Sequence, residues 1–213
     1  MKKRPRSSSR NIARASAGSR AAPARKRMQD VAVLFADIEG CTRLCEDLPP
    51  REMARVIERY FSRFLDSVRE SGGEITEILG DGLLALFLGQ SPRANATGAL
   101  SAALGIQKAA AELNVASKRR HDPIVVNIGV NVGPALVGTT RLRGRTGERR
   151  SFAAMGPVTN VAARLCALAD HGQILVTGAV ARMLRDACPA RRLGRRRLRN
   201  VSAPVEVFEI RRA

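Results

Sequence analysis

The chain has 213 residues, enough for one domain with a substantial core and a terminal extension. Hydrophobic residues make up 45% of it, which excludes disorder throughout the chain. Aromatic residues make up only 3% and tryptophan is absent, which argues against base stacking on aromatic platforms as the main activity.

The formal net charge of +18 is concentrated at two places, residues 1–29 and residues 191–199. Such an excess suits nucleic acid, a membrane surface or an anionic substrate, but a charge block outside a core is usually a solvated tail or face. We expect residues 1–29 to be a disordered basic tail and residues 30–213 to form the domain. Binding of nucleic acid by the tail is expected to be secondary.

Apolar runs and cysteines indicate neither a membrane span nor a zinc ribbon. No apolar run approaches the length that crosses a bilayer, and the basic N-terminus lacks the apolar stretch of a secretory signal. Its composition also loosely matches an organelle transit peptide, but the default location is the cytoplasm. The four cysteines form no C-x-x-C pair, and we expect reduced thiols that behave as small apolar side chains: Cys41, Cys45, Cys166 and Cys188.

The first half of the chain predicts a strand, a helix, a hairpin and a second helix. The first strand is a short apolar run that ends at Asp37, and Asp81 stands between two glycines at the tip of the hairpin. The predicted elements, in order, are 31–36, 51–70, 74–79 paired with 83–88, and about 93–113.

The second half predicts further strands with one helix between them. A strand over 124–130 can kink at Gly133-Pro134 and continue through Val137, and residues 141–150 form an exposed loop or arm. A strand over 151–155, a helix over 158–168 and strands over 173–176 and 205–210 complete the chain. This order is typical of an α+β sandwich of the ferredoxin-like type, with helices on one face of the sheet.

Asp37 and Asp81 are the candidates for metal chemistry. The small residues around each would let a large anion and its metals come near the backbone. Two carboxylates at adjacent strand ends could share a pair of Mg²⁺ ions, which prefer oxygen ligands and substrate phosphates. On spacing alone, two turn aspartates that cap backbone amides are an equal alternative.

Four motifs, in order, resemble those of the class III nucleotidyl cyclases. Residues 35–42 (FADIEGCT) are similar to the first metal motif of that family and residues 80–87 (GDGLLALF) to the second. Residues 128–138 are similar to its central strand, and residues 156–165 (GPVTNVAARL) to the helix that carries the transition-state Asn and Arg. The resemblance extends from Asp30 to about Ile210 and leaves out only the basic tail.

The resemblance implies two Mg²⁺ or Mn²⁺ ions held by Asp37, Asp81 and the backbone carbonyl of Ile38. The ribose 3′-hydroxyl of ATP or GTP would attack the α-phosphorus, and pyrophosphate would leave. Asn160 would orient the ribose, and Arg164, one helical turn on, would contact the α-phosphate. Without the family, these two residues would be assigned to a polar helix face.

The family also implies a homodimer with composite sites. Asp37 and Asp81 of one chain would meet Asn160 and Arg164 of its partner, so that two equivalent sites form across a two-fold axis. Residues 141–150 would be the dimerisation arm, a few residues longer than is usual in the family.

Two positions that select the base depart from the pattern for adenine. Glu77 stands where adenylyl cyclases usually have Lys, and a carboxylate suits the N1–H and 2-amino donors of guanine. Ala153 stands at the second position and offers no side-chain hydrogen bond. The alternatives are a guanylyl cyclase, a loosely selective cyclase, or a catalytically degraded domain that binds nucleotide or regulates; Glu77 could also be a solvent-facing strand residue. Arg199 is the nearest candidate for the family's triphosphate-binding Lys.

Overall fold

A computed structural model of the chain describes residues 25–41, 44, 46, 48–117 and 122–211. The helices and strands that it defines follow one another along the chain in this order: β1 Arg27–Ile38, α1 Pro50–Glu70, β2 Gly73–Leu79, β3 Gly82–Phe87, α2 Pro92–Ala116, β4 Val126–Gly144, β5 Gly147–Met155, α3 Pro157–Leu168, β6 Ile174–Thr177, α4 Gly178–Met183, β7 Ala190–Arg196 and β8 Val205–Ile210.

The eight strands form one sheet in the order β2-β3-β1-β4-β6-β8-β7, with β5 paired to the second half of β4. β4 and β6 run parallel, and the other pairs in the described residues are antiparallel. β1 and β4 lie in the middle of the sheet and pair over twelve residues, from Arg27 opposite Val137 to Ile38 opposite Val126. The mixed α+β architecture predicted from the sequence is confirmed.

β1 is buried on both faces, which explains why its sequence is a continuous apolar run. Ala32 and Leu34 contribute to a core beneath α1 and α2. Val31 and Val33, which point the other way, pack in a second core with Val158 of α3. The sheet therefore needs helices on both faces.

The prediction that the helices lie on one sheet face is wrong for α3. α1, α2 and α4 cover one face, whereas Val158 and Ala162 of α3 pack on the opposite face. Gly129 of β4 allows this close crossing, because a Cβ there would lie 2.3 Å from the Ala162 carbonyl oxygen and 2.3 Å from the Cys166 amide nitrogen. α3 therefore crosses the centre of the sheet almost in backbone contact.

Two long helices form the layer on the other face. Proline occupies the first turn of both, where the missing N–H is not needed. Ser91 caps α2, since its side chain accepts a hydrogen bond from the Ala94 amide at 3.1 Å. α1 packs its apolar stripe against the sheet and α2 through these buried residues: Met53, Tyr60, Phe61, Phe64 and Val68.

Two segments differ from the sequence predictions, and for a third the structure selects one of two predicted alternatives. β1 begins at Arg27, inside the segment predicted to be a tail, and residues 1–24 of that segment lie outside the described residues. Residues 141–150, predicted to be an exposed loop or arm, are exposed and form an arm, the β4–β5 hairpin with Gly144 opposite Gly147. The basic segment at 191–199 contains strand β7, which the charge run concealed.

The four predicted thiols have different environments. Cys41 and Cys166 are buried and Cys188 is partly buried, whereas Cys45 lies outside the described residues. Separately, no helix in the described part of the chain combines the length and apolar character needed to cross a bilayer.

Gly129→Ala should destabilise the domain by about 3 kcal/mol or more, because its methyl group would overlap the α3 backbone. Gly133→Ala is the matched control on the same strand and face, since its methyl group would lie 3.7 Å from the Val158 side chain. Its effect should stay within about 0.5 kcal/mol. Urea unfolding of both variants checks the difference, and equal midpoints would contradict the close α3 crossing.

Candidate functional site

Asp37 lies at the end of β1, opposite Gly82 of β3 and Asn127 of β4. Its side chain is directed to the sheet face that α3 covers, as those of Val31 and Val33 are. A Cβ on Gly82 would lie 3.0 Å from Asp37 Oδ1, so the carboxylate occupies the space that the glycine leaves open. The glycine therefore makes room for the Asp37 carboxylate at this strand end.

Asp81 lies in the two-residue turn between β2 and β3, where Leu79 is paired with Gly82. Gly80, the other turn residue, has a φ of +64°, a left-handed conformation that favours glycine. The Ile38 amide donates a hydrogen bond to the Asp81 carbonyl oxygen at 3.1 Å. This bond joins the turn that carries Asp81 to the residue that follows Asp37.

The two carboxylates affect each other electrostatically. The pKa of Asp37 is raised above its ordinary value, mainly by burial and further by the negative charge of Asp81. Asp37 and Asp81 repel each other in a partly buried position, with the Ile38 backbone beside them. Together these groups form a hard oxygen donor set. They fit Mg²⁺ or Mn²⁺, which would remove the repulsion.

A cavity of about 160 Å³ adjoins Asp37, between the strand ends and α3. Ala163, Cys166 and Ala167 form the α3 side of its lining. The Cys166 thiol donates a hydrogen bond to the Asn127 carbonyl oxygen at 3.3 Å, and burial together with the Asp37 charge raises its pKa to about 12. Cys166 is therefore a neutral wall of the cavity, since the thiolate is the nucleophilic and metal-binding form.

Asn160 and Arg164 lie on α3, as predicted. Ala163 and Ala167 of the same helix line the cavity at Asp37, whereas Asn160 and Arg164 do not line it. Asn160 is exposed, and Arg164 is half-buried with no hydrogen bond or ion pair to the described residues. Both side chains are available to a group outside this chain.

Glu77 and Ala153 lie on strands that contact each other, β2 and β5. Glu77 is half-buried and follows a bulge at Thr76, where the β2–β3 register shifts. Ala153 pairs with Gly138 of β4 and is half-buried. The two predicted base-selecting positions thus belong to neighbouring strands.

Arg199 is exposed in the connection between β7 and β8. Its neighbours in the basic segment are partly used for structure: Arg191 pairs with Glu209 at 2.6 Å and Arg192 with Glu206 at 2.8 Å. Arg199 makes no such pair with the described residues, which leaves its charge available to an anion.

Sequence reasoning missed a group of polar residues behind Asp37. The Glu39 carboxylate accepts hydrogen bonds from the Asn127 side chain at 3.1 Å and from the His171 amide at 2.8 Å. Asn127 interrupts the apolar run at the start of β4. A polar residue at such a position is the signal that could have identified this group. Glu39, Asp170 and His171 also place side-chain ligand atoms near one another, apart from Asp37 and Asp81.

A sheet of this topology, with α3 across it and two aspartates at adjacent strand ends, defines the catalytic domain of a nucleotide cyclase. The chain belongs to the adenylate and guanylate cyclase catalytic domain family, whose sequence profile matches residues 24–208.

Named relatives and solved structures are consistent with this family. The chain is 29% identical over 188 residues to adenylate cyclase 1 of Rhizobium meliloti, and 31% identical over 162 residues to an adenylate cyclase of Mycobacterium bovis. These alignments cover 85% and 75% of this chain but 27% and 34% of the relatives. The chain thus spans about a quarter to a third of the length of these proteins.

Two solved structures show the same fold. The adenylyl cyclase CyaB from P. aeruginosa superposes with a TM-score of 0.80 at 21% identity, over 89% of this chain and 97% of that chain. The guanylyl cyclase Cya2 superposes with a TM-score of 0.75 at 25% identity, over 87% and 93% of the two chains. Both an adenylyl and a guanylyl cyclase are therefore similar to this chain.

The repulsion at Asp37 predicts an effect on stability. Because its pKa is raised in the folded protein, ionised Asp37 weakens the fold above its ordinary pKa range, and the penalty disappears as pH falls. Asp37→Asn should therefore raise the metal-free Tm at pH 7 by about 1–2 °C, a small effect because the group is partly solvated.

Mn²⁺ should raise the Tm of the wild type but not that of Asp37→Asn. Asp66→Asn, an exposed substitution on α1, is the control and should respond to Mn²⁺ as the wild type does. Thermal unfolding with and without Mn²⁺ measures both effects, and an equal Mn²⁺ response in Asp37→Asn would remove Asp37 from the metal site.

Proposed function

We propose that this chain is the catalytic domain of a class III nucleotidyl cyclase, which converts ATP or GTP to the 3′,5′-cyclic monophosphate and pyrophosphate. The observation that carries the proposal is the pair of mutually repelling carboxylates, Asp37 and Asp81, on hydrogen-bonded segments of a cyclase-family fold. Such a pair suits divalent cations and the phosphates that they bind.

Asp37, Asp81 and the Ile38 carbonyl would hold two Mg²⁺ or Mn²⁺ ions. When bound, these ions supply an acidified 3′-hydroxyl and neutralise charge on the triphosphate. Gly82 makes room for the Asp37 carboxylate, and the alanines of α3 leave room beside Asp37 for the substrate. Cys166 stays protonated and adds no charge to the phosphate region.

Asn160 and Arg164 would act on the substrate held by the partner chain. The Arg164 guanidinium offers paired N–H donors to the α-phosphate oxygens, where negative charge builds during attack. The Asn160 amide would orient the ribose. Because neither residue lines the cavity at Asp37 of its own chain, we propose a two-fold homodimer in which each site takes residues from both chains.

Purified protein with Mn²⁺ should form a cyclic product from ATP, GTP or both, and Asp81→Ala should lower kcat at least about 100-fold, as expected when a metal ligand is lost. Chromatography of the products measures turnover, and size-exclusion chromatography confirms that the variant remains folded. A folded wild-type dimer that forms neither product would refute the enzyme and support the degraded, nucleotide-binding alternative.

Mixing two inactive variants tests the shared site. Asp37→Asn and Arg164→Ala each damage both sites of their own homodimer, but a heterodimer of the two retains one intact site. With equal mixing and free exchange, activity should recover to about a quarter of the wild-type value. No recovery, despite demonstrated subunit exchange, would place both residues in a site within one chain.

Glu77 supports GTP over ATP, because a carboxylate accepts from the N1–H and 2-amino groups of guanine and adenine lacks that donor pair. Ala153 adds no side-chain hydrogen bond, so selectivity should be incomplete. Glu77→Lys should shift the ratio of kcat/KM values toward ATP by about tenfold or more. Competition between the two substrates measures the ratio, and an unchanged ratio would make Glu77 an ordinary strand residue.

Arg199 is proposed as a triphosphate contact, supported by its exposure and its lack of an acidic partner in the described residues. This assignment carries less of the mechanism than Asp37 and Asp81 do, because other arginines of the same basic segment are equally exposed.

A further inference from the structure

The end of β1 that carries Asp37 lies at the limit of its strand pairing. β4 begins at Val126, so Asp37 opposite Asn127 and Ile38 opposite Val126 are the last two pairs of the ladder. Ends of strands fray readily, and a metal site needs its oxygen ligands held in place. Something must therefore fix this end of β1.

Backbone hydrogen bonds hold the chain in place for one residue beyond the end of β1. The Ile38 amide donates to the Asp81 carbonyl oxygen at 3.1 Å, and the Glu39 amide donates to the Val125 carbonyl oxygen at 2.9 Å. The first bond joins the segment to the β2–β3 turn, and the second joins it to the residue that precedes β4.

The Glu39 side chain then ties this segment to two others. One carboxylate oxygen, Oε2, accepts from Asn127 Nδ2 at 3.1 Å and from the His171 backbone amide at 2.8 Å. Asn127 Oδ1 accepts from the Gly172 amide at 2.9 Å. Both polar atoms of the Asn127 side chain are therefore hydrogen-bonded. Only 9% of the residue is exposed, so these bonds are shielded from water.

The turn at 170–172 is itself held in an uncommon conformation. His171 has a φ of 49° and Gly172 a φ of 75°, both in the left-handed region, which few residues other than glycine adopt. Gln107 of α2 fixes the turn from the other side, because its Nε2 donates to the Gly172 carbonyl at 2.8 Å and to the Val126 carbonyl at 2.6 Å. The turn is thus a rigid support rather than a free loop.

We propose that Glu39 and Asn127 are positioning residues, which lock the Asp37–Ile38 segment against the 170–172 turn and so fix two ligands of the metal site. The proposal rests on the proposed function, since it concerns the same metals. Neither side chain touches the substrate. Their effect is on the geometry with which the Asp37 carboxylate and the Ile38 carbonyl meet a cation.

Asn127→Ala is the main test, with Asn95→Ala as its matched control. Asn95 is also a buried asparagine with two side-chain hydrogen bonds, to the Gly89 amide and to the Asp30 carbonyl oxygen at 3.1 Å, but it ties the opposite end of β1. Each variant removes the two side-chain hydrogen bonds of a buried asparagine. Mn²⁺ affinity, measured by electron paramagnetic resonance, should fall about 10- to 100-fold in Asn127→Ala only.

Hydrogen exchange of the metal-free protein gives a second measurement, which does not depend on catalysis. The Ile38 and Glu39 amides should exchange about tenfold faster in Asn127→Ala than in the wild type or in Asn95→Ala. Faster exchange without weaker Mn²⁺ binding would overturn the proposal, since the network would then be structural only. Unchanged exchange would overturn it as well.

Glu39 provides a test at a partly exposed residue whose replacement should leave the fold intact. Glu39→Gln keeps an oxygen that accepts both hydrogen bonds, so its Mn²⁺ affinity should stay close to that of the wild type, whereas Glu39→Ala should lose about tenfold or more. If Glu39→Gln is as weak as Glu39→Ala, Glu39 acts through its charge and the positioning role is wrong. A wild type that binds no Mn²⁺ would instead refute the proposed function, and metal-free exchange would still report whether the network exists.

Discussion

The hydrogen bond from the Ile38 amide to the Asp81 carbonyl oxygen, 3.1 Å long, holds together two segments whose carboxylates repel each other. That repulsion costs folding energy unless a cation relieves it. The fold supports the strained arrangement through the central β1–β4 pairing and the two apolar cores on either side of it. In the proposed function, a bound cation would offset this local penalty.

The crossing of α3 forms one wall of the candidate site. Gly129 brings the α3 backbone onto the sheet, and this places the small residues Ala163 and Ala167 against Asp37. Asn160 and Arg164, on the same helix, do not line that cavity. In the proposed homodimer they would act on the substrate held by the partner chain.

Much of the fold follows from patterns that the sequence displays openly. β1, α1, the β2–β3 hairpin and α2 have apolar periodicity or clear turn residues. The hairpin and the two helices are found close to their predicted bounds, whereas β1 begins at Arg27, before its apolar run. β7 was missed because its four arginines hide a strand whose charges are partly neutralised by Glu206 and Glu209 from β8. The placement of α3 was missed because β1 is apolar on both faces. Such a run predicts that both faces are covered, but it does not indicate which helix covers which face. The partners of Asn127 and Glu39 lie far apart in sequence, so the polar interruption at Asn127 marks the position but does not identify what it contacts.

The number of Mn²⁺ ions that each chain binds with a GTP or ATP analogue that lacks the 3′-hydroxyl, and so cannot be cyclised, tests the central claim most directly. Titration followed by electron paramagnetic resonance should give about two ions per chain for the wild type, as a two-metal site requires, and a clear loss when Asp37 or Asp81 is replaced by Asn. Full Mn²⁺ occupancy in both aspartate variants would contradict the account, because the ions would then be held elsewhere.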